Sequence, residues 1–262
     1  MARLVVVGGG KMGEALLTGL VAAGWASASE LAVVEPVEAR RTELTAALPG
    51  VVVAAEPVEA SDGALIAVKP QHVAEAVEAA VGAGASRVLS IAAGVRLDQL
   101  ELAAGMGVPV VRAMPNTPAL VGAGAAAIAA GTSATDDDLA WAEAILSAVG
   151  EVVRVPEALL DAVTGLSGSG PAYVFLVAEA LVEGGVLNGL PRDVATQLTV
   201  QTLLGSARLL AESGDSPADL RAAVTSPGGT TAAGLHALES AGVRAAFLDA
   251  ITAATDRSRH LG

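Results

Sequence analysis

Cysteine is absent and aromatic side chains are scarce: Trp25, Trp141, Tyr173, Phe175 and Phe247 are all that the 262 residues hold. Without cysteine there is neither a disulfide framework nor a thiolate zinc site. Basic residues are few as well, 15 Lys and Arg against 28 Asp and Glu, for a formal charge of −13. Nucleic-acid binding needs a positive surface and stacking rings, so it is not expected. His72, His236 and His260 share no ligand spacing, so no metal and no catalytic imidazole is expected. Long apolar runs are missing too. The N-terminal Met1 to Val7 breaks into glycines before a signal core can form. The alanine- and glycine-rich stretch from Pro118 to Gly131 falls short of the roughly 18 apolar residues of a spanning helix. What abounds is Ala, Val and Gly: 53% of the chain is hydrophobic and only 16% charged, which excludes disorder. The expected protein is soluble and cytoplasmic, without a membrane or nucleic-acid partner.

The first half alternates strands and helices. Apolar runs at Arg3–Val7, Leu31–Val34, Val51–Val53, Ala64–Val68, Arg87–Ile91 and Val108–Val111 predict six strands. Helical patterns at Met12–Ala23, Val37–Leu48 and Gln71–Val81 separate the earlier ones, and a helix at Asp136–Val149 with a strand at Val152–Val155 completes the set. Continuously apolar strands between helices predict a parallel, doubly wound sheet covered on both faces. Beyond Pro156 the strands stop. Ala/Leu-rich helices are expected at Ala158–Leu166, Ala172–Leu187, Arg192–Ala211, Thr231–Ser240 and Val243–His260, punctuated by Gly-Pro, Leu-Pro and Pro-Gly-Gly breaks. The fold class is therefore α/β, a Rossmann-type domain over 1–153 followed by an all-α domain over 154–262.

Gly8-Gly9-Gly10-Lys11-Met12-Gly13 fits G-x-G-x-x-G directly after a strand and at a helix start. Gly8 permits a tight turn, Gly10 lets a pyrophosphate approach the backbone, and Gly13 allows close helix–strand packing. The helix N-terminus offers unpaired N–H groups to the anion. A plain glycine turn is the alternative, and the strand before and helix after argue for a dinucleotide. Glu35 stands at the end of the second strand, where an acid usually meets the adenosine ribose hydroxyls and disfavours a 2′-phosphate. Arg40 and Arg41 follow and are placed to neutralise such a phosphate, so NADPH and NADH both stay open as the cofactor.

Four further segments carry a resemblance: Ala67-Val-Lys-Pro-Gln71, Arg112-Ala-Met-Pro-Asn-Thr-Pro118, Leu166-Ser-Gly-Ser-Gly-Pro-Ala-Tyr173 and Val224-Thr-Ser-Pro-Gly-Gly-Thr-Thr231. With the glycine loop, they make the chain resemble the pyrroline-5-carboxylate reductase family from end to end, as far as Arg257 to Gly262. The resemblance implies hydride transfer from NADPH or NADH to the C=N carbon of 1-pyrroline-5-carboxylate, giving L-proline. It implies cofactor contacts at Ala67, Val68, Lys69 and Pro70 and at Ile91, Ala92 and Ala93. Met114, opening the segment Met114 to Pro118 after the sixth strand, is placed to wall the nicotinamide pocket, with a rigid two-proline turn as the alternative. The turn Ser226 to Thr231 opens a helix and is expected to offer the amides of Gly229, Thr230 and Thr231 to the carboxylate, with Gly228 shaping the turn. By resemblance, Thr231 hydrogen-bonds the imine nitrogen and Ser226 lies beside the substrate. Glu157 matches a substrate-pocket carboxylate of the family; a helix-terminal acid favoured by the macrodipole is the equal alternative. Relatives interlock their C-terminal helices into dimers, and decamers occur, so a homo-oligomer is implied.

Some positions depart from the family pattern. Ala54-Ala55-Glu56 stands where many members carry an asparagine facing the adenosine, Ala222-Ala223 replaces a polar cofactor contact, and Glu35 replaces Ser or Arg. These weaken a NADPH preference more than they weaken the reaction. The rivals are a reductase of a related cyclic imine or β-hydroxyacid, and a non-catalytic dinucleotide sensor. A β-hydroxyacid enzyme is expected to show a catalytic lysine on an interdomain helix, and this chain has none at a suitable place; a sensor has no need of Ser226 to Thr231.

Overall fold

The computed structural model describes residues 1–56 and 60–261. Packing divides the chain into two compact units: 1–169 together with 252–262, and 170–251. The division differs from the expected domain boundary because strands stop near 154, whereas the turns that follow still pack on the sheet.

The first unit runs β1 (Leu4–Val7), α1 (Lys11–Ala22), β2 (Leu31–Val34), α2 (Glu38–Ala47), β3 (Val52–Ala54), β4 (Ala64–Ile66) and α3 (Val73–Gly82). It continues through β5 (Val88–Ser90), α4 (Leu97–Ala104), β6 (Val110–Met114), β7 (Gly124–Ala130), α5 (Asp136–Leu146), β8 (Gly150–Arg154) and α6 (Leu160–Val163). The eight strands lie in the order β3-β2-β1-β4-β5-β6-β7-β8. Alternate residues of each strand feed opposite layers. Leu4 and Val6 pack with Leu16, Leu17 and Leu20 on one face, while Val5 and Val7 join Val73 and Val77 on the other. Burying one such Leu contributes about 1.5–3 kcal/mol, so these two layers hold the strands of the sheet firmly in place.

The sheet is parallel except where β7 runs antiparallel to β6, which corrects the expectation of a parallel sheet throughout. The strand itself was not expected. Its sequence, Gly-Ala-Ala-Ala-Ile-Ala-Ala, has almost no β-branched residue, the usual mark of a strand. Burial between two helical layers selects small side chains there, and the short turn Thr117–Val121 returns the chain beside β6. Helix α4 also went unread, being short.

The second unit contains α7 (Gly170–Leu187), α8 (Arg192–Glu212), α9 (Pro217–Ala223), α10 (Thr230–Ser240) and the first part of α11 (Val243–Arg259). The short α9 went unread and the other helices match expectation closely, but in 170–251 only Ala195 and Thr199 are buried. Phe175, Leu176, Leu187 and Leu248 all stand more than half exposed. The helical run Glu157–Leu187 is long and apolar enough, by length and composition, to cross a membrane. A face of this kind marks an interaction surface.

At the start of α5, Thr135 and Asp138 form a reciprocal cap: Asp138 Oδ2 accepts from the Thr135 amide at 2.9 Å and its hydroxyl at 2.7 Å. Arg87 reaches Asp138 Oδ1 at 3.4 Å and stacks 4.5 Å from the Trp141 ring centre. Burial works to raise the Asp138 pKa, but the Thr135 hydrogen bonds and Arg87 outweigh it and hold it below the ordinary value. A depressed folded pKa stabilises above the unfolded pKa and is lost as pH falls through the folded one. Asp138→Ala should therefore cost about 1–2 kcal/mol at pH 7 in urea melts, with the gap to the wild type closing in strong acid. A gap independent of pH would sink the assignment.

Candidate functional site

Strand order reverses at β1, which has β2 on one side and β4 on the other. Doubly wound sheets bind ligands outside the carboxyl ends of the strands at such a point. Three glycines shape this edge for three different reasons. Gly8 has φ +109°, and a Cβ there would lie 2.5 Å from Ala67 O. A Cβ on Gly13 would collide with Gly8 O and press on Val6. A Cβ on Gly10 meets nothing within 4 Å, so that position faces open space. Gly9 adds a fourth, because a side chain there would collide with Leu44.

Gly10 caps α1 without any side-chain hydrogen bond. The first intrahelical acceptor is used by Glu14 N–H, leaving the amides of Lys11, Met12 and Gly13 for an outside acceptor. Open space at Gly10, amides left free at the helix start and the exposed Lys11 among them fit a pyrophosphate.

Glu35 is buried at the end of β2. Its carboxylate accepts from Gly9 N–H at 3.1 Å and from Val37 N–H at 2.9 Å, so it also braces the glycine loop. Arg40 is fully engaged, donating to Gly9 O at 2.7 Å, Glu14 at 2.6 Å and Glu43 at 2.8 Å. These two carboxylates raise its pKa against the opposing effect of burial. Arg41 differs: it donates to the carbonyls of Glu35 and Pro36, and no carboxylate pairs with it among the described residues.

The loops after β4 and β5 sit next along the edge. Ala67 and Val68 are half-buried, Lys69 and Pro70 exposed, and Pro70 begins a tight turn to His72. The Ile91 amide donates to Ile66 O at 3.1 Å; Ile91 is half-buried, Ala92 buried and Ala93 exposed. Met114 is the last residue of β6, its Cε 2.6 Å from where a Cβ on Gly168 would stand. Gly168 ends a π-turn, Thr164–Gly168, closed by Ser169 N–H to Thr164 O at 2.8 Å. Asn116 ties this turn to the sheet, donating to Ser167 O at 3.0 Å and accepting from Ala125 N–H at 2.8 Å.

Glu157 starts the 3-10 turn Glu157–Leu159, and its Oε1 accepts from Arg112 at 2.8 Å and from the Leu97 amide at 2.7 Å. Sequence reasoning missed Arg112 and Asn116. The one available signal for Arg112 was a lone charge inside an apolar strand.

In the second unit, Ser226 to Gly229 forms a turn, with Gly228 at φ +69° and Gly229 N–H donating to Ser226 O at 3.1 Å. That hydrogen bond corrects one expectation, since the Gly229 amide is used inside the turn. A side chain on Gly229 would collide with Ser226 Oγ. Helix α10 has no side-chain cap, so the Thr230 and Thr231 amides stay available beside the exposed hydroxyls of Ser226, Thr230 and Thr231. The arrangement can hold a small anion with a hydroxyl next to it.

Comparison with known proteins was decisive on family. Residues 157–261 match the family described as pyrroline-5-carboxylate reductase dimerisation, and residues 3–94 match NADP oxidoreductase coenzyme F420-dependent. The pyrroline-5-carboxylate reductase of a Synechocystis strain is 50% identical over 99% of this chain and 98% of its own length. That of Methanosarcina acetivorans is 45% identical over the same shares. The structure of a pyrroline-5-carboxylate reductase from Coxiella burnetii superposes with a TM-score of 0.93 at 35% identity, covering 100% of this chain and 98% of that one. The Plasmodium falciparum pyrroline carboxylate reductase with NADP bound gives 0.85 at 28% identity, with the same coverage.

The glycine geometry gives a paired test. Gly13→Ala should destabilise the fold by about 1–3 kcal/mol, because the backbone must give way. Gly10→Ala should leave the thermal midpoint unchanged. Equal midpoints for the two variants would refute the packing argument.

Proposed function

The chain belongs to the pyrroline-5-carboxylate reductase family, and from that premise we infer that it reduces 1-pyrroline-5-carboxylate to L-proline, consuming one NADPH or NADH and one proton. The observation that carries this is full-length identity to reductases of that name, joined to a glycine edge that fits a dinucleotide. When bound, the nicotinamide supplies the hydride for the C=N carbon.

The chain's own groups bind and orient. The amides of Lys11, Met12 and Gly13 hold the pyrophosphate, with Gly8 and Gly10 giving the backbone room. Glu35 meets the adenosine ribose. Ala67 to Pro70, Ile91 to Ala93 and Met114 wall the nicotinamide half. Thr230 and Thr231 amides hold the substrate carboxylate, Gly228 and Gly229 fix their direction, and Ser226 lies alongside. The Thr231 hydroxyl hydrogen-bonds the imine nitrogen. No strong base is required, since addition to a protonated imine is limited by positioning.

The match to a dimerisation family and the exposed apolar helices support a homo-oligomer. We propose a dimer as the basic assembly and a decamer as its larger form, in the cytoplasm, without membrane or nucleic-acid partners. The apolar run ending at Leu187 carries Glu179 and Glu183, which suit a protein interface better than hydrocarbon.

Loss of absorbance at 340 nm with pyrroline-5-carboxylate and either nucleotide tests the reaction; no consumption with both would refute it. Thr231→Ala should lower kcat about tenfold or more while the nucleotide Kd stays within about twofold, as expected for one lost hydrogen bond at the reacting centre. Unchanged kcat would remove Thr231 from the reaction. Glu35→Ser should shift the kcat/KM ratio toward NADPH by about tenfold, because a carboxylate no longer opposes the 2′-phosphate and Arg41 pairs with no acid among the described residues. An unmoved ratio would mean that Glu35 serves the loop alone.

A further inference from the structure

Two ties beneath the nucleotide edge are left over by the reaction. The first is Glu157 Oε1, which joins Arg112 in the middle of β6 to the Leu97 amide at the first position of α4. Arg112 is only 8% exposed, and the Leu97 N–H is one that the helix itself leaves without a partner. One carboxylate oxygen thus fixes the start of α4 to the sheet. The segment from Ile91 to Arg96 is consequently held at both ends, by Ile91 N–H to Ile66 O on β4 and by Glu157 at α4.

The second tie is Asp161 Oδ1, which accepts from Ser258 Oγ at 2.7 Å. Ser258 is 6% exposed, and it brings the end of α11 over the same segment. Leu261 stands there, 3.5 Å from the Cβ position of Gly94, whose φ of +77° is open to glycine and strained for other residues. A cavity of about 160 Å³ remains between the two ties, lined by Gly94, Arg96, Arg112, Glu157, Asp161 and Ser258.

We propose that Glu157 and Ser258 are positioning residues for the nucleotide, acting through the loop Ile91–Gly94 rather than by contact. The proposal rests on the reading that Ile91 to Ala93 face the cofactor. Glu157→Gln keeps an acceptor for the Leu97 amide and removes the charge opposite Arg112. Ser258→Ala removes the second tie and leaves Arg112 alone.

Each variant should raise the KM for NADH and NADPH about three- to tenfold, with the KM for the imine and kcat at saturating nucleotide within about twofold of the wild type. The double variant should fall short of the product of the two, because both act on one loop. A rise in the imine KM without a rise in the nucleotide KM would place Glu157 on the substrate and overturn the proposal. Unchanged nucleotide KM in both variants would also overturn it, leaving the ties purely structural. Should Glu157→Gln fail to fold, Ser258→Ala decides alone. Nucleotide binding by the wild type, followed by NADH fluorescence, is measured first. Failure there would refute the cofactor site itself and is distinct from a failure of this inference.

Discussion

A contact that only glycine permits sets the rest of the nucleotide edge. Gly13 lies so close to Gly8 O that any side chain would displace one of them. This approach seats the start of α1 against the end of β1, where the amides of Lys11, Met12 and Gly13 have no intrahelical acceptor. Glu35 and Arg40 then hold the loop from outside, the first through Gly9 N–H and the second through Gly9 O. The two hydrogen bonds leave Gly9 little freedom, so the loop is preorganised before any ligand arrives. Preorganisation matters because ordering a loop on binding costs affinity.

The helical unit obeys the opposite constraint. A unit spanning 170–251 with only Ala195 and Thr199 buried has no core of its own. Gly185 on α7 faces Ala195 on α8, where small residues let two backbones approach. Conformational entropy opposes folding by about 1–2 kcal/mol per residue, and burial must offset it. Faces bearing Phe175, Leu176 and Leu248 can supply that burial only against another surface. A second copy of the chain is the partner that the dimerisation family implies.

How much of this the sequence disclosed follows from how local each cause is. The glycine loop was legible because its pattern spans only six positions and acts through the absence of side chains. The groups that forbid a side chain at Gly8 and Gly9 nevertheless lie far along the chain, at Ala67 and Leu44. The long helices after 170 were legible from periodicity and from their Pro and Gly punctuation, whereas the seven-residue α9 is too short to show a period. Strand β7 was hidden because its reason for being a strand is burial between layers, not the propensity of its alanines. The Glu157–Arg112 pair was hidden because its partners are 45 positions apart and meet only once the sheet has formed. Glu157 itself stood out, yet its pattern suits a substrate pocket or a helix end equally well. The Gly229 amide was misjudged for a smaller reason: a four-residue turn closes on it before the helix begins.

A chain of net charge −13 that handles two anionic molecules needs its attraction to be local. Screening at physiological salt confines charge effects to about 8 Å, so distant carboxylates matter little at a binding edge. Near the glycine loop, Glu14 and Glu43 are both paired with Arg40. At the start of α10 the amides act without a side-chain cap that would compete for them. Helix ends have a further advantage over lysines in such a protein. Their partial charge is fixed in direction by the backbone and cannot be drawn away by the surrounding carboxylates. The acidity of the surface and the affinity for anions therefore rest on different atoms and do not oppose each other.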